Sequence, residues 1–118
     1  MTLAAGGGFV AVAVGAFAAH GVKDPQAKAW LVTGSQYGLI HAIATFACAT
    51  FMDIGARRAR FAPAQFLSGV VIFSGSLYAM ALGAPRWLGA VTPIGGLLFL
   101  GGWATLAWAA RDVDRPQA

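Results

Sequence analysis

The sequence predicts an all-α protein, a four-helix bundle integral to a membrane and forming a single domain. Composition is the first reason: 58% of the 118 residues are hydrophobic and only 10% are charged, whereas soluble domains carry about 25% charged residues. Position is the second, because the stretches 3–19, 33–52 and 87–110 contain no Asp, Glu, Lys or Arg. So few charges cannot cover a water-facing surface, and such a chain cannot stay unpacked in water. A soluble enzyme and a disordered chain are therefore excluded.

Four segments have the roughly 20 mostly apolar residues that a transmembrane helix needs. They are Leu3–Ala19, Thr33–Ile54, Phe61–Gly83 and Trp87–Ala110. Between the first two, Asp24 suits a helix N-cap and Pro25 the first helical position. We therefore expect a short interfacial helix over residues 25–32. Residues 111–118 are predicted to form a polar tail.

The basic residues predict an orientation. With four spans, one side of the membrane receives Arg57, Arg58, Arg60, Arg111 and Arg115. The other side receives Lys23, Lys28 and Arg86. The positive-inside rule then places both termini in the cytoplasm. Because these charges lie between apolar spans, the net charge of +4 indicates membrane topology and not a nucleic-acid partner. Arg57, Arg58 and Arg60 would also attract anionic lipid headgroups.

Small residues four apart predict where helices approach closely. The three stripes are Gly7, Ala11, Gly15 and Ala19 in the first span, Gly34, Gly38 and Ala42 in the second, and Gly75, Ala79 and Gly83 in the third. We interpret them as packing surfaces within the chain. A homodimer surface is the alternative.

The acidic residues exclude several kinds of catalytic and metal site. The chain has four aspartates and no glutamate, while paired-carboxylate hydrolysis, HExxH zinc sites and EF-hand loops need Glu or clustered acids. The single cysteine, Cys48, excludes an internal disulfide and a cysteine-based zinc finger. We expect no catalytic residues, no metal and no cofactor, and hence no enzyme.

Polar residues inside the spans are the candidate functional residues, because they are costly in a membrane unless paired. Tyr37, His41, Thr45 and Cys48 follow at steps of four, four and three, which places them on one helix face. Counting depth from the outer helix ends predicts a polar cluster in the outer half of the bundle, comprising His20, Tyr37, His41, Ser74, Ser76, Tyr78 and Thr92. Two interpretations stay open: these groups fix helix register, or they line a pocket for a proton, a quinone headgroup or a lipid headgroup.

Several motifs resemble those of a family of small bacterial inner-membrane proteins typified by YgdD and YwdK (domain of unknown function 423), related to mitochondrial transmembrane protein 256. The motifs are GAFAAHG at 15–21, YGLIHA at 37–42, FSGSLY at 73–78 and TPIGG at 92–96. They occur in all four spans, so the resemblance covers nearly the whole chain. Ala18 and Gly38 depart from the family's usual glycine and glutamine. The resemblance implies a four-helix protein of the bacterial inner membrane and brings no established activity.

Two functional hypotheses follow. The first is a non-enzymatic accessory or interaction subunit of a larger membrane complex, because the chain is small, its loops are short and it lacks catalytic groups. The second is a small-molecule binding or carrier protein whose pocket is centred on His41, with Tyr37, Ser74 and Tyr78. In both, the lipid bilayer is the surrounding partner, and the sequence leaves the oligomeric state open.

Overall fold

The structure, a computed structural model, describes residues 1–114 and consists of four α-helices. Helix α1 comprises Thr2–Gly21, α2 Pro25–Asp53, α3 Ala62–Ala81 and α4 Thr92–Asp114, and short 3-10 turns over Arg57–Phe61 and Arg86–Ala90 precede α3 and α4. No strand occurs within residues 1–114, so the predicted all-α, four-helix class is confirmed. Residues 111–114 of the predicted polar tail continue helix α4, and Arg115 and the rest of the tail to residue 118 lie outside the described residues.

Three helical segments of the described chain are long and apolar enough to cross a membrane. They are Thr2–Gly21, Arg57–Ala81 and Arg86–Asp114. Helix α2 is not among them, because Gln36, Tyr37 and His41 lower the mean hydropathy of its central part. The predicted span over residues 33–54 therefore stays a prediction.

Helix α2 is longer than the sequence indicates. Asp24 caps it, accepting a hydrogen bond from the Ala27 amide at 2.9 Å, and Pro25 opens its first turn, as expected. The helix then continues without a break to Asp53, so the separate interfacial helix over residues 25–32 is wrong. Nothing at Val32 or Thr33 interrupts the backbone, since β-branched residues lower helix propensity only slightly.

Each helix packs mainly against its neighbours in sequence, as short connections between antiparallel helices dictate. Helix α2 packs on α1 and α3, and α3 packs on α4, whereas α1 and α4 make no contact within the described residues. The helices thus form an open arrangement. It leaves one groove between α2 and α4 and another between α1 and α3.

The pattern of burial is the one expected for packed membrane helices, with small residues inside and large apolar residues outside. Many of the buried residues are small, for example Ala4, Ala11 and Ala18 of α1, while large apolar side chains such as Leu3 and Val71 point outward. Lipid tails are as apolar as leucine, so helices gain little from burying large side chains and instead pack through small ones. The outer surface suits contact with acyl chains.

Candidate functional site

The polar face of α2 points into the bundle over most of its length. His41, Thr45 and Cys48 are buried. Thr45 donates its hydroxyl hydrogen to the His41 carbonyl at 2.8 Å, and the Cys48 thiol lies 3.3 Å from the Ala44 carbonyl. Tyr37, in contrast, is 44% exposed. Thr45 and Cys48 are therefore satisfied by their own helix, and the chemistry of this face centres on Tyr37 and His41.

Both ring nitrogens of His41 are occupied. The Trp103 indole N–H donates to His41 Nε2 at 3.0 Å. Because an indole nitrogen can only donate, Nε2 must accept, which assigns the proton to Nδ1. Nδ1 then donates to the Tyr37 carbonyl at 2.6 Å. His41 is thus a neutral histidine that joins α2 to α4, and neither nitrogen is free for a ligand.

Aromatic rings surround His41. Its ring stacks on Phe99 with centroids 3.6 Å apart and planes 9° apart. Tyr37 lies nearly parallel to both, at 6.1 Å from His41 and 6.3 Å from Phe99. Phe73 packs against Tyr37 at 4.9 Å. These contacts fix the ring orientations, since each ring has neighbours on two or more sides.

The α2/α4 groove lies beside these rings and has a volume of about 690 Å³. Its walls are Tyr37, Ile40 and His41 of α2 and Leu97, Leu100 and Trp103 of α4, with Phe73 of α3 at its inner side. Within residues 1–114 the Tyr37 hydroxyl has no hydrogen-bond partner. Gly96 also faces the groove, and a Cβ there would meet no atom within 4 Å. The groove is apolar and carries one free hydroxyl.

The remaining residues of the predicted cluster are not gathered at His41. Ser74 donates to the Gly34 carbonyl at 2.7 Å, and this hydrogen bond joins α3 to α2. Ser74 also hydrogen-bonds Tyr78 of its own helix. Ser76 lies 2.5 Å from the Thr92 hydroxyl, which joins α3 to α4. His20 is exposed at the end of α1. The predicted cluster is therefore three separate arrangements plus an isolated histidine.

The helix bounds also change the estimated depth of the site. His41 is the seventeenth of the 29 residues of α2, just past the middle of the helix and toward Asp53. The outer-half placement assumed that the helix begins near Thr33. Because it begins at Pro25, His41 and Tyr37 lie near the midpoint between the two charged ends of the bundle.

Part of the small-residue stripes packs between helices. A Cβ at Gly34 would lie 2.6 Å from the Tyr78 ring, and one at Gly15 would lie 2.8 Å from the Ser35 hydroxyl. Gly38 approaches both Ser74 and Ala11. Ala42 is buried and lies 3.9 Å from the Cβ position at Gly8.

The other stripe residues lie elsewhere. A Cβ at Gly7 or Gly75 would meet no atom within 4 Å, and Ala19 is exposed while Ala79 is half-buried. Gly83 follows α3 with φ of +104°, a conformation that favours glycine. Its presence is explained by the turn and not by a helix contact.

Three phenylalanines pack against glycines between α3 and α4. Phe99 of α4 lies over Gly69 of α3, and the α3 residues Phe66 and Phe73 lie over Gly102 and Gly95 of α4. The α3 positions of these pairs are three and four residues apart, and so are the α4 positions, so the pairs repeat along an antiparallel contact. These pairs were not predicted. The shared spacing of seven between Phe66 and Phe73 and between Gly95 and Gly102 was the available signal.

The α1/α3 groove has a volume of about 550 Å³ and shares no lining residue with the α2/α4 groove. Gly6 and Gly7 of α1 and Gly75 of α3 line it, with Gly38 of α2 also contributing. None of Gly6, Gly7 and Gly75 would bring a Cβ within 4 Å of another atom. This groove offers a glycine-lined surface.

The arginine-rich connection is partly tied to α4. Arg58 forms an ion pair with Asp112 and lies over the Trp108 ring, 4.2 Å from its centroid. Arg60 lies over the Phe61 ring, and Arg57 is exposed. The role of Arg57, Arg58 and Arg60 in topology and headgroup binding stays a prediction. Within residues 1–114, no three His, Cys, Asp or Glu side chains are grouped so as to hold a metal ion.

Comparison with known proteins places the chain in a family. Residues 14–96 match the family described as protein of unknown function (DUF423). The chain belongs to this family. A membrane protein of Haemophilus influenzae, named UPF0382 membrane protein, is 43% identical over 93% of this chain and 91% of its own length.

Two further relatives have the same general description. The Escherichia coli K12 inner membrane protein YgdD is 38% identical over 98% of this chain and 91% of its own length. The Bacillus subtilis membrane protein YwdK is 37% identical over 86% of each chain. No solved structure matches the chain. The family resemblance is confirmed, and the chain is a membrane protein of a family without a described activity.

Proposed function

We propose that this protein is a non-enzymatic membrane protein that binds a lipophilic component of the membrane in the α2/α4 groove. The observation that carries the proposal is the combination of a groove of about 690 Å³ with a wall held in place by the hydrogen bond between Trp103 and His41. Small-molecule sites are concave, mostly apolar and usually preformed. The groove has each of these properties.

The polar groups of the groove favour binding over catalysis. His41 uses both nitrogens within the protein, so it has neither a free lone pair for a metal nor a position from which to exchange a proton with a substrate. No acidic residue lies in the central part of α2 or α4. A reaction would need a nucleophile, an acid or a base, whereas binding of an apolar guest needs shape and apolar surface alone.

A pair of glycine substitutions tests the proposal. Gly96→Leu places a side chain in the α2/α4 groove, and Gly75→Leu places the same side chain in the α1/α3 groove; both positions are open to a Cβ. We expect the wild-type protein and Gly75→Leu, purified from native membranes in mild detergent, to retain a lipophilic molecule detectable by native mass spectrometry. Gly96→Leu should lose it. Equal retention by all three proteins would overturn the proposal.

A second candidate function is the accessory subunit, and the α1/α3 groove is what favours it. Exposed glycines on membrane helices let a partner helix approach closely, and Gly6, Gly7 and Gly75 are open in this way. On native gels, Gly75→Leu should then release the chain from a larger complex while Gly96→Leu leaves it bound. Migration of the wild-type protein as a monomer under several gentle extraction conditions would contradict this candidate.

The orientation belongs to the same proposal: all four helices cross the bilayer, and both termini lie in the cytoplasm. In support, the antiparallel order brings Arg57, Arg58, Arg60 and Arg111 to one end of the described chain and Lys23, Lys28 and Arg86 to the other. Reporter fusions before residue 1, at Gly55 and after residue 118 should all report the cytoplasm. Opposite locations for the first two fusions would mean that only one of α1 and α2 crosses the bilayer, and opposite locations for the last two would mean the same for α3 and α4.

A further inference from the structure

We propose that the lipophilic ligand of the α2/α4 groove belongs to the quinone class: a planar ring bearing two carbonyl oxygens, attached to an apolar chain. This inference rests on the proposed function, because it names the ligand of the same groove. It concerns binding alone and includes no redox step. The ring would lie against the exposed aromatic side chains, and one of its carbonyls would accept a hydrogen bond from Tyr37.

The Tyr37 hydroxyl sets the polar requirement of the ligand. Among the described groove residues, His41 and Trp103 donate their N–H groups to hydrogen bonds within the protein. Tyr37 supplies the one side-chain donor in the groove that has no partner within residues 1–114. Tyr37 is the thirteenth of the 29 residues of α2, so this hydroxyl lies near the middle of the bundle. An unpaired hydroxyl at that depth is costly, and a ligand carbonyl oxygen that accepts its hydrogen bond would satisfy it.

A single donor selects against ligands that need several hydrogen bonds. Phosphate headgroups, sugars and hydrated cations carry several acceptors or charges, and the groove offers no cationic side chain and no carboxylate. A saturated acyl chain has no hydrogen-bond acceptor, so it would leave the Tyr37 hydroxyl unpaired. A quinone is uncharged and has no hydrogen-bond donor of its own, so one of its two carbonyls can accept from Tyr37 without leaving a charge or a donor unpaired.

The aromatic side chains favour a planar ring. Tyr37 and Trp103 are 44% and 45% exposed, and the Tyr37 plane lies within 9° of those of His41 and Phe99. Aromatic rings gain from offset stacking beyond the area that they bury, and an electron-poor quinone ring suits the electron-rich faces of tyrosine and tryptophan. Ile40, Leu97 and Leu100 line the rest of the groove and would contact the chain.

The test compares two probes of similar shape: a decyl-substituted benzoquinone, and decylbenzene, which has the ring and chain without the carbonyls. Binding to the purified full-length protein in nanodiscs is measured by native mass spectrometry. We expect the wild-type protein to bind the quinone about tenfold more tightly than decylbenzene, since a tenfold ratio is the size of one good hydrogen bond. Tyr37→Phe should remove this difference by weakening quinone binding about tenfold while leaving decylbenzene unchanged.

The controls separate this inference from the proposed function. Tyr37→Phe removes a hydroxyl without a partner in the described chain, so its thermal stability should equal that of the wild-type protein. If Gly96→Leu weakens both probes but the two bind the wild-type protein equally, the groove binds lipophiles and the quinone inference is overturned. The quinone inference is likewise overturned if Tyr37→Phe binds the quinone as tightly as the wild-type protein does. If Gly96→Leu changes neither probe, the proposed function itself fails.

Discussion

Two adjacent glycines of α4 show how differently the two sides of this helix are used. A Cβ at Gly95 would lie 2.5 Å from the Phe73 amide nitrogen and 2.8 Å from its Cα, so the backbones of α3 and α4 nearly touch there. At Gly96 a Cβ would meet nothing within 4 Å. Successive residues of a helix are about 100° apart around its axis, so Gly95 faces a closed contact while Gly96 faces an open groove. Glycine therefore serves close packing at one position and free space at the next.

The two sides also differ in how they are held. The α3 side is joined by repeated phenylalanine–glycine pairs, so its strength is distributed along the helix. The α2 side is joined at the groove by one hydrogen bond, from Trp103 to His41, and by the stack of His41 on Phe99. We infer that the α3/α4 contact contributes more to stability than the α2/α4 contact does.

Substituting the two glycines should reveal the difference between the two sides of α4 with the largest effect on stability. Gly95→Ala places a methyl group against the Phe73 backbone, which cannot move aside as a side-chain end can. We expect it to lower the free energy of unfolding by about 1–3 kcal/mol. Gly96→Ala should change it little, or raise it by about 0.5 kcal/mol, because alanine favours the helical backbone. Unfolding in mixed detergent micelles measures both, and equal losses would show that the two sides of α4 are alike.

Removing the hydrogen bond between Trp103 and His41 should have the next largest effect on the free energy of unfolding. Trp103→Phe leaves His41 Nε2 without its donor, which we expect to cost about 1 kcal/mol. His41→Phe removes the acceptor, and the double variant should cost less than the sum of the two single ones. A double-mutant cycle on the free energy of unfolding measures the coupling. Additive losses would mean that the bond contributes nothing to the α2/α4 contact.

Removing the hydrogen bond between the Ser76 and Thr92 hydroxyls, which joins α3 to α4, should have the smallest effect on the free energy of unfolding. Ser76→Ala removes the contact with Thr92 and should cost about 0.6 kcal/mol, the average for such bonds between membrane helices. Ser68, on the same helix, bonds the Ala64 carbonyl of its own helix and is exposed. Ser68→Ala is therefore the matched control and should leave the free energy of unfolding unchanged. A larger loss for Ser68→Ala would contradict the assigned contacts.

Much of the fold could be predicted because membrane crossing restricts sequence strongly. The apolar segments locate α1, α3 and α4, and Asp24 with Pro25 marks where α2 begins. The length of α2 was missed, because Gln26 and Lys28 resemble a polar interfacial segment that precedes an apolar span. The helix is nonetheless continuous from Pro25 to Asp53.

The site was predicted less well, for a geometric reason. Counting residues gives the depth of a side chain but not the direction in which it points. Ser74 and Ser76 are two residues apart and thus about 200° apart around the helix, so one contacts α2 and the other α4. The phenylalanine–glycine pairs were missed similarly, because the register between α3 and α4 depends on the turn that joins them. Spacing within one helix does not specify it.

A photo-crosslinking amino acid placed at Leu97, in the α2/α4 groove, tests the central claim most directly. Val71, in the α1/α3 groove and similarly exposed at 72% against 67% for Leu97, is the matched control position. After irradiation of native membranes, mass spectrometry of the purified chain should show an adduct of a ring-bearing lipophilic small molecule at position 97 that is absent at position 71. Adducts of bulk phospholipid in equal yield at both positions, or a crosslinked protein at position 97, would contradict a small-molecule site in this groove.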